Sequence, residues 1–217
     1  MEYQKIPNIY KREEGNNSKK LIEGVFTSDE LEALAGMNWV WTEKVDGTNI
    51  RVIWDGYRVS FAGRTDKAMI PAHLLAKLDE LFGGPNMEEI FEQKFGNKKL
   101  ILFGEGFGEK IQSGGKYGPV NFILFDVFIE GEDGRGYWLR QEDVESIAES
   151  FDIQSVPVVG RGSLLDAVKF IKKHPKSWLK DEEMEGVVCR PSVRIFDGRG
   201  NRFIVKIKCR DFPKEEA

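Results

Sequence analysis

Short runs that alternate apolar and polar residues and break at glycine most narrow the folds open to this 217-residue chain. NWVWTEKV, NIRVIWD and YRVSFAG, between Asn38 and Gly63, put every second side chain on one face, which is the period of a half-buried strand. KLILFGEGFG, VNFILFDVFIE, GYWLR, EGVVCRP, VRIFDGRG and NRFIVKIK read as further strands. Helical signals are fewer. Thr27-Ser28-Asp29-Glu30 has capping-box spacing ahead of LEAL and Gly36, and Pro71 opens AHLLAKLDELF, which stops at Gly83-Gly84. Asn86 is placed to cap MEEIFEQKF, while EDVESIAESF and SLLDAVKFIKK carry the 3.6 period. The strands come as successive hairpins with helical insertions, so the expected class is α+β with mixed or mainly antiparallel sheets. A doubly wound parallel sheet would need regular strand-helix alternation. REEGNNSKK reads as an exposed loop and GEDG as a turn.

At this length the chain makes one large domain or two small ones and buries a core without disulfides or structural metal. Cys189 and Cys209 form no Cys-x-x-Cys unit, fall in predicted strands and read as buried free thiols. The opening residues MEYQKIPNIYKREEG lack the apolar stretch of a signal peptide, and no run is long enough to span a bilayer, so a cytoplasmic location is expected, with no membrane partner. A net charge of -4 gives no global signal for nucleic acid. The basic runs Lys94/Lys98/Lys99 and Lys169/Lys172/Lys173/Lys176/Lys180 are read as solvated helix faces, with phosphate contact as the alternative. His73 and His174 have no ligand or nucleophile paired with them in sequence and are read as structural.

Asp-Gly occurs at Asp46-Gly47, Asp55-Gly56, Asp133-Gly134 and Asp197-Gly198, and in each it is first a turn signal. Only the first is preceded by lysine at the second position, as Lys44-Val45-Asp46-Gly47. Lys44 is either a solvated strand-end charge or a nucleophile. A nucleophilic lysine needs burial or nearby cations to lose its proton near neutral pH. Lys206 and Lys208 are candidate cations, since a spacing of two on a strand points both ammonium groups to one face. The same charges suit the oxygens of a reacting phosphate, and carboxylates suit magnesium. Glu105 in FGEGFG and Glu185 in EGVV stand beside glycines that let a ligand approach, although each also fits a solvent-facing charge. Gly104-x-Gly106-x-Gly108 is not spaced as a dinucleotide fingerprint and opens no helix.

In order, the chain carries Lys-Val-Asp-Gly, Phe-Gly-Glu-Gly-Phe-Gly, Phe-Asp-Val, Glu-Gly-Val-Val and Lys-Ile-Lys. This set resembles the covalent nucleotidyltransferases, the polynucleotide ligases and messenger-RNA capping enzymes, and is most similar to RNA ligases of the second bacteriophage class. The resemblance runs from about Trp41 to Phe212. It implies an ATP-grasp-like adenylation domain and an ATP- and Mg2+-dependent RNA ligase, with Mn2+ as a substitute ion, that joins 5'-phosphate and 3'-hydroxyl RNA ends through lysyl-AMP. Lys44 would be the nucleophile, Lys206 and Lys208 would act on the phosphates, and Glu105 and Glu185 would hold metal. Glu43, Asp46, Gly47, Asn49 and Arg64 would serve the nucleotide, and Phe125, of the Phe125-Asp126 pair, would stack on adenine with Phe122 as the rival. Arg199 matches a further basic position as well as a turn. Thr48-Asn49 follows the glycine where DNA ligases and capping enzymes tend to place arginine, which favours RNA ligase. Nine residues follow Lys208, which leads to the expectation of one nucleotidyltransferase domain over residues 1–217 with no OB-fold or helical domain after it, and leaves room for a protein partner or oligomer. The competing readings are a minimal DNA ligase and a noncatalytic module that binds nucleotides or RNA ends.

Overall fold

The two strand-like runs on either side of Lys44 do not pair with each other. The computed structural model describes residues 1–14, 20–112, 114–131 and 135–214. In chain order it forms β1 (Tyr10–Arg12), β2 (Leu21–Phe26), α1 (Asp29–Leu34), β3 (Trp39–Glu43), β4 (Thr48–Trp54) and β5 (Val59–Gly63). Then come α2 (Ala72–Phe82), α3 (Pro85–Phe95), β6 (Leu100–Phe107), β7 (Asn121–Glu130), β8 (Gly136–Trp138) and α4 (Gln141–Ser150). The last are β9 (Gln154–Ser155), β10 (Val158–Gly162), α5 (Leu164–Lys172), β11 (Gly186–Pro191) and β12 (Val205–Lys208). Contacts divide the chain into a first unit, Met1–Tyr3 with Asp46–Val156, and a second, Gln4–Val45 with Pro157 onward. The boundary falls between Val45 and Asp46, so β3 and β4 belong to different sheets and the expected hairpin between them is absent.

The second unit holds the β1-β2 hairpin and a four-stranded antiparallel sheet in the order β10-β3-β11-β12. One face of that sheet, with Trp39, Trp41, Val187, Cys189, Val205 and Ile207, shares a core with Leu164, Ala167, Val168 and Ile171 of α5 and with Leu31 of α1. Each buried valine, leucine or isoleucine among them contributes about 1.5–3 kcal/mol by leaving water. Ser163 and Asp166 cap α5 reciprocally, which fixes where the helix begins. The first unit has a sheet in the order β5-β4-β6-β7-β8, with β9 parallel to β7 and every other pair antiparallel. Its helices cover one face, where Leu74, Leu78 and Phe82 of α2, Phe91 of α3 and Val144 and Ala148 of α4 meet Ile50, Val52, Trp54, Leu102, Phe122 and Leu124. The mixed, mainly antiparallel α+β class is as the pattern predicts.

Several details differ for local reasons. Ser28, one residue later than the spacing suggests, caps α1 by accepting the Leu31 N–H at 3.2 Å, because the Thr27 hydroxyl donates instead to the Asn8 carbonyl at 3.0 Å. Asn86 lies inside the first turn of α3, since Pro85 opens that helix with its fixed φ and Gly84 precedes it at φ 86°. VRIFDGRG forms no strand. The Asp197 carboxylate accepts the Arg199 and Asn201 N–H groups at 2.8 Å each, a local turn that competes with a ladder, so only Phe196 bridges back, to Arg202. Cys209 follows β12 in a 3-10 turn rather than in a strand. β1, β2, β9 and β10 carry no clear alternation. In β10, Gly160 lies under an indole, where a Cβ would sit 2.4 Å from Trp41 Cε3. Residues 132–134 of the GEDG turn, with Asp133-Gly134, and residues 15–19 of REEGNNSKK lie outside the described residues.

Candidate functional site

Lys44 sits just past β3 but keeps its pairing, because its backbone N–H donates to the Gly186 carbonyl at 2.9 Å. Gly186 in turn stands opposite Lys208, and Val188 stands between Thr42 and Lys206. The three lysines therefore occupy adjacent rows of one sheet. Glu185, immediately before β11, gathers two of them: Lys44 Nζ donates to its Oε2 at 2.6 Å and Lys208 Nζ to its Oε1 at 2.5 Å. A second, longer bond runs from Lys44 Nζ to the Val45 carbonyl at 3.3 Å. Burial pushes the Glu185 carboxyl up, but the Lys44 charge and the hydrogen bonds from Lys208 and Lys44 outweigh it and hold the group below its ordinary value. Burial first, then the charges of Lys208 and Lys44, hold the Lys206 ammonium below the ordinary lysine value. The sheet therefore presents more positive charge than Glu185 alone balances, an arrangement suited to an anion.

Gly186 lets the lysine rows come together. Its φ is 154°, and a Cβ there would lie 2.1 Å from the Ile207 carbonyl oxygen and 2.7 Å from Lys208 Cα. Gly186→Ala must therefore push β12 away or strain the backbone. The expected loss is about 1–3 kcal/mol of stability, read by chemical denaturation. A variant as stable as the parent would mean that the two strands are not held at this spacing.

Glu43, expected at the nucleotide, is buried, and within the second unit both its carboxylate oxygens are engaged: Oε1 accepts from the Ser177 hydroxyl and Oε2 from the Trp178 N–H at 2.9 Å. Alternation along β3 turns Glu43 to the core side of the sheet, with Trp39 and Trp41. Glu185, expected at metal, is here the acceptor of two lysines.

In the first unit, Asp46-Gly47 is not a hairpin turn. Asp55-Gly56 is one, with Gly56 at φ 100° and Asp55 Oδ1 accepting the Tyr57 and Arg58 N–H groups at 2.9 and 2.8 Å. Gly47 has no positive φ; it is needed because a Cβ would fall 2.3 Å from the Gly106 carbonyl oxygen. Beside it the Asp46 N–H donates to the Tyr117 hydroxyl at 3.3 Å. Asn49 and Glu105 are cross-strand partners on the sheet face away from the helices, and Asn49 Oδ1 is buried with no hydrogen-bond partner. Arg64 follows β5 and is exposed. Phe122 is a core residue, 1% exposed and edge-on to Phe82 at 5.4 Å, which removes it as a stacking surface. Phe125 occupies the irregularity in the β6-β7 register, is half-buried and meets Tyr3 edge-on at 5.1 Å.

Two supports of this face escape a sequence reading. The Tyr3 hydroxyl donates to Asp126 Oδ2 at 2.8 Å, and no pattern in the opening residues signals it. Arg51, 1% exposed, donates to the Gly63 carbonyl at 2.7 Å, the Met1 carbonyl at 2.9 Å and Asp66 Oδ1 at 2.7 Å, fixing the segment that carries Arg64. Its signal is an arginine two residues after Asn49 on the same strand face.

The basic runs are partly neutralised. Lys169 lies 3.5 Å from Asp166, Lys172 pairs with Glu23, Lys176 pairs with Asp181, and Lys94 lies over the Phe151 ring. His73 opens α2, whereas His174 does have a partner: its Nδ1 is 2.6 Å from Glu183 Oε1. Cys189 and Cys209 are buried free thiols, and burial, with the Glu183 charge, pushes Cys209 up to about 12. Among the described residues no helix is long and apolar enough to cross a membrane.

Comparison with known proteins places these positions in context. The sequence model of the RNA ligase family matches residues 37–208. Solved structures of an RNA ligase from Naegleria gruberi share the fold. A lysine-to-alanine mutant with ATP and Mn is 17% identical, with a TM-score of 0.63 over 96% of this chain and 60% of that one. A second, apo mutant is 19% identical with a TM-score of 0.61, covering 82% of this chain and 51% of that one. A form with PPi is 21% identical at the same TM-score and coverage. The chain thus spans about half to three-fifths of the length of these ligase structures.

Proposed function

The chain belongs to the RNA ligase family, and from that premise we propose that it joins RNA 5'-phosphate and 3'-hydroxyl ends using ATP, with Lys44 as nucleophile. The observation that carries this reading is the grouping of Lys44, Lys208 and Lys206 around Glu185 in one sheet. In the first step the Lys44 amine attacks the α-phosphorus, so that an N–P bond forms and the bond to pyrophosphate breaks. Nζ must shed a proton to solvent first, and its ion pair with Glu185 must open for the amine to reach phosphorus. Lys206 and Lys208 offer charge to phosphate oxygens as it builds up there. AMP then passes to the RNA 5'-phosphate, and the 3'-hydroxyl displaces it to form the phosphodiester.

In the first unit Glu105 is assigned to metal, Asn49, Asp46 and Arg64 to the nucleotide's polar groups and Phe125 to adenine. The orphaned Asn49 Oδ1 fits a hydroxyl or amine donor, and the half-buried Phe125 ring is the aromatic left for stacking once Phe122 is in the core. Magnesium, or manganese in its place, would neutralise the triphosphate when bound, and carboxylates are the donors it needs. In the second unit, Glu185 would take a metal only as its lysines let go. Glu43 is assigned a supporting role, holding the Ser177-Trp178 turn at the end of the strand that leads to Lys44. Free thiols at Cys189 and Cys209 suit the cytoplasm.

The test is covalent labelling. With magnesium and, separately, α-labelled ATP, GTP and NAD, the full chain should take label from ATP alone on a denaturing gel. Label from GTP would redirect the reading to capping chemistry, and no label from any of them would make this a binding module. Faster sealing of a nick with ribose than with deoxyribose at its 3'-hydroxyl separates an RNA from a DNA ligase.

A further inference from the structure

Outside the lysine cluster, one ring nitrogen of His174, a carboxylate oxygen of Glu183 and the Cys209 sulfur lie within 4.8 Å of one another. They come from three separated stretches of the second unit: His174 follows α5, Glu183 precedes β11 and Cys209 follows β12. We propose that these three residues bind a borderline-soft divalent transition metal of the zinc class, with water completing the coordination.

One observation beyond proximity favours a ligand. His174 Nδ1 is engaged with Glu183 at 2.6 Å, yet its Nε2 is buried with no hydrogen-bond partner. A histidine kept only for packing normally satisfies both nitrogens. The His174 φ of 49° is the left-handed turn with which α5 ends, one residue past the Lys173 C-cap.

The donor set selects the ion. A thiolate with an imidazole and a carboxylate suits zinc and its relatives, whereas magnesium and manganese prefer oxygen alone. Zinc bonds of about 2.0–2.3 Å put tetrahedral ligand atoms roughly 3.3–3.8 Å apart, so a pair near the outer limit must close by about 1–1.5 Å. The charges balance. The thiol gives its proton to solvent, so that one thiolate and one carboxylate neutralise the dication while the imidazole ligates neutral. Lys214 holds Glu183 Oε2 at 2.9 Å, and Oε1, which sits 2.6 Å from His174 Nδ1, must leave that nitrogen to reach the metal.

The position gives the site a purpose. Cys209 directly follows Lys208, Glu183 stands two residues before Glu185, and the Cys209 N–H donates to the Glu185 carbonyl at 3.0 Å. A metal here ties together the two chain ends that bring Lys208 to Glu185.

Cobalt, a spectroscopic stand-in for zinc, provides the test on the full chain. Titration with Co2+ should produce a thiolate-to-cobalt charge-transfer band that saturates at one ion per chain and is displaced by Zn2+ but not by Mg2+. Cys189→Ser leaves Cys209 as the sole thiol and should keep the band. Cys209→Ser, and His174→Asn, which tolerates the left-handed backbone, should abolish it. Absence of the band from the parent or from Cys189→Ser, or its survival in Cys209→Ser, overturns the proposal. These outcomes decide it even if the His174 variant fails to fold.

Discussion

Lys44→Ala and Lys44→Arg should both lose covalent labelling by ATP, by roughly 10⁴-fold or more, the scale of removing a nucleophile that acts with its neighbours as a unit. The two variants should differ in stability. Arginine can keep an ion pair with Glu185 yet cannot attack, because a guanidinium stays protonated at any working pH. Alanine leaves Glu185 with Lys208 alone. The arginine variant should therefore melt near the parent and the alanine variant below it, with both inactive. Equal labelling of Lys44→Ala and the parent would place the nucleophile elsewhere and end the central assignment. Melting of both variants far below the parent would mean that labelling is lost through unfolding.

How far the sequence could be read follows from what each feature depends on. The two-residue spacing of Lys206 and Lys208 is local, and strand periodicity alone puts them on one face. That Lys44 shares Glu185 with Lys208 is not local, since the Lys44–Glu185 bond spans 141 positions and depends on β11 lying between β3 and β12. The Asp-Gly signal was ambiguous for the same reason. At Asp55-Gly56 the dipeptide makes its own turn, whereas Gly47 is required by the Gly106 carbonyl, a neighbour from a distant strand. Phe122 and Phe125 belong to one apolar run, and only the irregular β6-β7 register sends the first into the core and leaves the second half-exposed. Helices α2, α4 and α5 were legible within a residue or so because their caps and periods are local. Arg51 and Tyr3 were not, because their partners come from remote segments.

Glu185 should prove nearly as intolerant as Lys44, and of glutamine as much as of alanine. Its two oxygens each accept from an ammonium, and a glutamine amide offers one acceptor and turns a donor toward the other lysine. Either variant should lower adenylylation by about a hundredfold or more, the scale for losing an electrostatic group at a reacting phosphate. Removing one member of a largely buried ion network also costs stability, about 3–5 kcal/mol if the lysines stay buried and less if they swing to water. The pH dependence identifies the cause. The folded Glu185 carboxyl lies below its ordinary value of 4.5, so its contribution is complete above that value and is lost as pH falls through the lower folded value. Denaturation of the parent across a pH series below 4.5 should show this acid limb, and Glu185→Gln should flatten it. Combining Lys44→Ala with Glu185→Gln should then cost less than the sum of the single changes, because the charge stranded by one is removed by the other. Strict additivity, or an acid limb unchanged in Glu185→Gln, would mean that this carboxylate does not hold the lysines, and full labelling by Glu185→Gln would remove it from the reaction.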